Sequence, residues 1–241
     1  MKISFNIIKD IVNFLEPFKT IDEKTILEVQ TISNLDDTWL NVLDIVREKT
    51  NINIYELELA YQLAIIYIIR KHSIGDDINI TYKCKCGNIT ESILSIKDFI
   101  EFNETDIELK HDTTITDILN TPIIDQWKLT TLNKPTTMKE CIDIATEVRK
   151  CLPFVKFTQK TKCLFCGNET KHSLHSKELC IRSLSDHSIT SLYQQINNLL
   201  VNQVSLHDIN NMLIFEREIH LSLLQKRIDE HVEQQKKLLG L

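Results

Sequence analysis

The chain has 241 residues, 42% apolar and 26% charged, with a formal net charge of −6. This is the make-up of an ordered globular protein of one large domain or two small ones. The acidic balance argues against a chain built mainly to hold a nucleic-acid backbone, although it leaves room for a local basic face.

The first ten residues break their apolar run with charge and lack a small-residue cleavage site, so they do not read as a secretory leader. Ile7, Ile8, Ile11 and Leu15 share a helical face that stops before Pro17. Asp22 is placed to cap a second helix carrying Ile26, Val29 and Ile32. Asp37 or Thr38 is placed to cap a third, in which Trp39, Val42, Leu43 and Val46 follow the i, i+3, i+4, i+7 pattern. A fourth helix over residues 55–72 is apolar nearly all round and reads as a central buried helix. Its uninterrupted apolar run, residues 63–69, is too short to cross a bilayer. Arg70, Lys71 and His72 suit its last turn, and Gly75 stops it.

The period then changes from helical to two. Ile78, Ile80, Tyr82 and Cys84 alternate with polar residues, which predicts a strand, and residues 89–96 predict its return. A further strand is expected at residues 128–132. Thr137 and Glu140 form a capping box for a helix with Cys141, Ala145 and Val148 on one face. Val155, Phe157 and Gln159 lead into a second hairpin that returns over residues 170–174. Beyond Ser176 the pattern is helical again. One amphipathic helix carries Ile189, Leu192, Tyr193, Ile196, Leu199 and Leu200. Ser205 or Asp208 caps a longer one running through Ile209, Met212, Leu213, Ile219, Leu223 and Leu224. Residues 225–237 are mostly polar and should project into solvent.

The two hairpins share a motif. Cys84-Lys85-Cys86-Gly87-Asn88-Ile89-Thr90 and Cys163-Leu164-Phe165-Cys166-Gly167-Asn168-Glu169-Thr170 are near copies, and they hold two of the chain's four glycines. A cysteine pair followed by glycine is the shape of a metal knuckle, because the turn needs positive φ and backbone N–H groups must approach the thiolates. Cys84, Cys86, Cys163 and Cys166 together supply four thiolates, the complete shell of a structural zinc ion that leaves no position for water. The first pair is spaced Cys-x-Cys, which tightens its chelate. The fold class expected is α+β: a helical N-terminal part (1–76), a zinc-ribbon-like pair of β-hairpins with an inserted helix (77–176), and a helical C-terminal part (177–241).

Seven cysteines is an odd number. With four of them paired in knuckles, a reducing cytoplasm fits better than a disulfide framework. Cys141, Cys151 and Cys180 read as small buried hydrophobes. His172 and His175 read as surface histidines, Asp36-Asp37 as a helix cap, and Asp76-Asp77 as a turn. Lys156, Lys160, Lys162, Lys171 and Lys177 make the second hairpin locally basic. No phosphate loop, nucleophile motif or nucleic-acid recognition pattern accompanies them.

One further signal lies in the order of short segments. Glu16-Pro17-Phe18, Asp22-Glu23-Lys24, a helix pair ending near Thr50, Arg70-Lys71-His72-Ser73-Ile74-Gly75, a strand into Cys84-x-Cys86, and Leu132-Asn133-Lys134-Pro135-Thr136 follow one another. Over residues 16–155 this resembles the baseplate hub assembly proteins of T4-like tailed phages, in which a buried helix ends in Arg-x-x-Ser-x-Gly before a strand and a cysteine pair. The resemblance implies a non-catalytic phage protein, a chaperone or minor hub subunit. It would act in the host cytoplasm or in the virion baseplate, with other baseplate hub or tail proteins as partners and no membrane association. The alternative reading is a zinc-ribbon nucleic-acid-binding or transcription-associated phage protein. A third is an enzyme whose site carries no familiar motif.

Overall fold

In the computed structural model the described residues are 16–239, except 51, 97–99, 103–104, 111–112, 114, 156–157, 174 and 186. The helix expected from Ile7 to Leu15 lies outside them, as do Lys156 and Phe157. The architecture is α+β, with helices at both ends of the described chain and short antiparallel strand pairs between them.

Helix α1 (Thr20–Ile32) and helix α2 (Leu35–Thr50) open the described chain. Asp22 does not cap α1 from outside. It sits one turn in, and its Oδ2 accepts the Lys19 N–H at 2.6 Å while pairing with Lys49 Nζ at 2.7 Å. The cap of α2 is Asn34, whose Oδ1 accepts the Asp37 N–H at 2.9 Å, so the expected Asp37 or Thr38 cap is displaced upstream. Trp39, Val42, Leu43 and Val46 are buried as their spacing predicts. On α1 the buried pair is Ile26 and Leu27, whereas Ile32, at the helix end, is 83% exposed.

A 3-10 turn, Ile54–Glu56, precedes helix α3 (Leu59–Ser73), so the central helix starts later than expected. Gln62 is buried in its first turn and donates Nε2 to the carbonyls of Ile54 and Leu57, which fixes the break. Leu63 to Ile69 are all buried, and α3 forms the spine of the main apolar cluster. That cluster draws Phe18, Trp39, Ile78, Leu94, Val148, Cys180 and Ile214 into one core, so all three sequence regions share it.

The exit of α3 is a polar knot. Arg70 is fully buried and donates to the carbonyls of Ser183 (2.7 Å), Asp77 (2.7 Å) and Gly75. Ser73 Oγ accepts the Phe18 N–H at 2.6 Å and donates to the Ile69 carbonyl. Gly75 turns the chain with φ +130°. The Arg-x-x-Ser-x-Gly segment is thus one physical unit, in which each polar group satisfies backbone that a sharp reversal would otherwise leave bare.

Strands β1 (Asp77–Lys83) and β2 (Ile89–Ser95) form the first hairpin, in register from Asp77 opposite Ser95 to Lys83 opposite Ile89. Strand β3 (Ile100–Phe102) pairs with β4 (Pro153–Val155), placing Ile100 opposite Val155. Val155 therefore belongs to this pair and not to the second hairpin, which consists of β5 (Thr158–Lys162) and β6 (Glu169–Ser173). Between them lie α4 (Ile115–Asn120), a 3-10 helix (Ile123–Leu129) and α5 (Met138–Lys150). The strand expected at residues 128–132 is absent there. Buried Gln126 donates to the Ile118 and Thr121 carbonyls and holds the chain in a helical turn, leaving one isolated bridge between Leu109 and Thr130. The Thr137–Glu140 capping box of α5 is present, with the Glu140 N–H on Thr137 Oγ1 at 3.2 Å.

The last third carries α6 (Lys177–Ser183), α7 (Ile189–Val201), α8 (Leu206–Asn211) and α9 (Ile214–Leu239). Ser205 caps α8. The single long helix expected here is broken at Met212, whose backbone is extended. The break frees the Met212 carbonyl to accept the Thr20 N–H at 2.9 Å, and Leu213 bridges Lys19. Glu216 then caps the restarted helix through the Leu213 N–H. A second apolar cluster of Leu27, Leu192, Ile196, Leu199 and Ile209 is covered by Leu221 and Leu224 of α9. Residues 225–236 are exposed, as their polarity predicts. Among the described residues no helix is long and apolar enough to cross a membrane.

Candidate metal centre

The β1–β2 and β5–β6 hairpins meet at their tips. Cys84 and Cys163, the first cysteine of each pair, are buried, while Cys86 and Cys166 are exposed. Cys84 Sγ lies 3.6 Å from Cys166 Sγ, and Cys86 Sγ lies 3.8 Å from Cys163 Sγ. All four sulfurs lie within 4.8 Å of one another. These separations are far beyond a disulfide's, which is about 2.05 Å. Around one ion at a Zn–S distance of about 2.3 Å, the edge of a regular tetrahedron is about 3.8 Å. The Cys84–Cys166 and Cys86–Cys163 separations match that edge, and the four thiols together form a donor set that could hold a soft or borderline metal.

Each knuckle is built by its own backbone. The Cys84 N–H donates to the Asn88 carbonyl and the Cys163 N–H to the Asn168 carbonyl, both at 2.9 Å. Inside these rings the Gly87 N–H reaches the Cys84 carbonyl, and the Gly167 N–H reaches the Cys163 carbonyl. Gly87 and Gly167 have φ of +89° and +71°, the region their position demands. The Cys-x-Cys knuckle is one residue shorter than the Cys-x-x-Cys one. It absorbs the difference in a tighter turn, and its sulfurs still reach the common centre.

Hydrogen bonds to sulfur favour thiolates here. Thr90 is buried, and its hydroxyl lies 3.3 Å from Cys163 Sγ. That bond, with the backbone N–H groups of Cys166 and Phe165, holds the Cys163 thiol down at about 6. The Asn88 backbone N–H lowers Cys86 in the same way. Cys166 moves oppositely: the Asn168 N–H pulls it down, but local desolvation and the three neighbouring sulfurs push it up to about 12. The last proton of the cluster is thus the hardest to remove without a cation at its centre.

A second contact joins the hairpins behind the cluster. Thr161 Oγ1 donates to the Tyr82 hydroxyl at 3.0 Å and lies 2.7 Å from His172 Nε2. The His172 and Tyr82 rings pack edge to face with centroids 4.6 Å apart. His172 is therefore an interface residue, not the surface histidine its position on a strand suggests, and burial lowers its pKa. His175 is also engaged, with Nε2 2.8 Å from the Val155 carbonyl. Neither histidine joins the sulfur cluster.

No family model, curated protein or solved structure matches this chain.

The remaining candidates sort by burial. Cys151 and Cys180 are buried, and Cys141 is half-buried. Burial pushes the Cys151 thiol up to about 11 and raises that of Cys180 further. These are poor nucleophiles. Lys177 belongs to α6 and pairs with Asp36 at 2.9 Å, and Lys160 pairs with Glu169 at 3.2 Å. Lys162 and Lys171 stay exposed on the second hairpin. Thr90, Tyr82 and Thr161 carry supporting roles that the cysteine spacing does not reveal. Only Thr90 had a sequence signal, since Thr90 and Thr170 recur at matching places in the two copies.

Proposed function

We propose that this chain is a zinc-stapled assembly protein that works through protein contacts in the baseplate hub of a tailed phage. The observation that carries the structural half is the set Cys84, Cys86, Cys163 and Cys166, whose sulfurs come within 4.8 Å of one another from positions 77 and 82 residues apart. Four thiolates fill the shell of zinc, so the ion would fasten one hairpin to the other in a ribbon-like pair and would leave no position for a substrate or water. The hub assignment rests on the resemblance of residues 16–155.

Elemental analysis of protein purified without added metal should find close to one zinc per chain. Cys163→Ser with Cys166→Ser should abolish it and lower the melting temperature; a metal-free chain with unchanged melting overturns the staple. Co-expression with neighbouring tail proteins tests the hub assignment, and failure to capture any of them overturns it. A second reading, binding of single-stranded nucleic acid, is favoured by exposed Lys162 and Lys171 and by Phe165, which is 67% exposed at the second knuckle. Salt-dependent oligonucleotide binding lost in Phe165→Ser would establish it.

A further inference from the structure

We propose that the groove between α8 and α9 is a docking site for a basic amphipathic helix from another protein. This deepens the assembly reading and rests on it only in taking the partner to be a protein.

Helix α9 has two apolar stripes. Ile214, Leu221 and Leu224 face the body and cover the two apolar clusters. Phe215, Ile219 and Leu223, spaced four apart, lie on the opposite side and are 40%, 53% and 52% exposed. Such spacing lines up along one face for about 12 Å, the length over which a crossing or parallel helix makes two or three turns of contact. A stripe of this kind on a helix already packed by its other side is the pattern of helix-in-groove recognition. Beside it lies an open cleft of about 370 Å³, lined by Met212 and Ile219, by Asp208 and Glu216, and by His207, His220 and Asn211.

The charge of the cleft selects the occupant. Asp208 and Glu216 line it beside two imidazoles, those of His207 and His220, and no lysine or arginine does. Each carboxylate serves its own helix start, Asp208 by accepting from Ser205 Oγ at 2.6 Å and Glu216 by accepting the Leu213 N–H at 2.9 Å. A carboxylate has about four acceptor sites, so both retain capacity for a lysine or arginine. A nucleic-acid backbone is repelled by the same two charges. A second copy of the chain carries a net charge of −6 and offers no advantage in sign. An apolar stripe rimmed by basic side chains meets both requirements.

The test uses the full chain and two synthetic helices with the same leucine face, one completed with lysine and one with glutamate. The Leu/Lys helix should bind at least roughly tenfold more tightly than the Leu/Glu helix, with amide shifts centred on Met212 and Ile219. Ile219→Ser with Leu223→Ser should weaken it by a further tenfold or more at unchanged melting temperature. Ile219→Lys, which keeps a long side chain on the helix but sets a cation in the cleft, should do the same. Equal binding of both helices, undiminished binding by these variants, or self-association of the chain through this face overturns the proposal. A chain that binds the Leu/Lys helix here but captures no tail protein overturns the hub assignment and leaves the groove standing.

Discussion

Gly75 shows how much one residue decides. Its φ is +130°, and a Cβ added there would meet nothing within 4 Å. The cost of a side chain is therefore purely one of backbone conformation. Gly75→Val should lower stability by about 1–3 kcal/mol, the usual strain at such a position, read from denaturant midpoints. An unchanged midpoint would mean that the turn refolds around the substitution. A second residue-scale device is His187. Its Nε2 lies 2.9 Å from Glu218 Oε1, with Arg217 on the same carboxylate oxygen, Gln195 beside the ring and Glu23 behind Arg217. The bond to Glu218 raises the His187 pKa against the opposing effect of burial, and the same bond lowers that of Glu218. The histidine's contribution is complete below its unfolded value of about 6.5 and fades as pH rises through the higher folded value. The glutamate's contribution is complete above its unfolded value of about 4.3 and fades as pH falls through the lower folded value. His187→Gln should therefore cost most near pH 5.5, and by only about 0.5 kcal/mol because Glu218 is half-exposed. Urea midpoints of the two proteins should converge as pH rises past the raised folded value of His187.

At the scale of elements, α9 is two different objects in one helix. Its first half is part of the body. Arg217 is fully buried and pairs with the equally buried Glu23 at 2.5 Å, while Ile214 enters the main core. Its second half, from residue 225 onward, is exposed through residue 236. Removing residues 205–241 should unfold the chain, because it takes Ile214 from the main apolar cluster and Ile209 from the second and breaks the buried Arg217–Glu23 pair. Removing only residues 226–241 should leave the melting temperature within a degree or two. Thermal melts of both truncations check the division, and equal stability of the two would refute it.

For the molecule as a whole, what could be read in the sequence was what is local. The repeated Cys-Gly-Asn segments disclose the four-cysteine cluster because each knuckle is closed by its own backbone within a few residues. The central helix is legible because burial all round leaves an uninterrupted apolar run. The illegible features depend on distant partners. The break at Met212 exists because Thr20 takes its carbonyl from 192 positions away. His172 is recruited by Tyr82, a residue of the other hairpin. The expected strand at 128–132 yields to a helical turn because Gln126 ties the turn to α4. Periodicity reports which face of an element is apolar, not what stands opposite it.

The second hairpin has one more property. No described residue of β5 or β6 belongs to either apolar cluster, whereas β1 and β2 supply Ile78, Ile80 and Leu94 to the main one. With little buried hydrocarbon of its own, β5–β6 stays seated through the sulfur cluster and the Tyr82–Thr161–His172 contact. If the cluster holds a metal ion as proposed, the hairpin's local opening equilibrium is linked to occupancy of that site. In the range where metal exceeds its dissociation constant, each tenfold drop in free metal should favour opening tenfold, about 1.4 kcal/mol. Amide hydrogen exchange in metal-buffered solution should register that slope at residues 159–173 and a flat response along α3, making the hairpin a thermometer of metal activity mounted on an indifferent core.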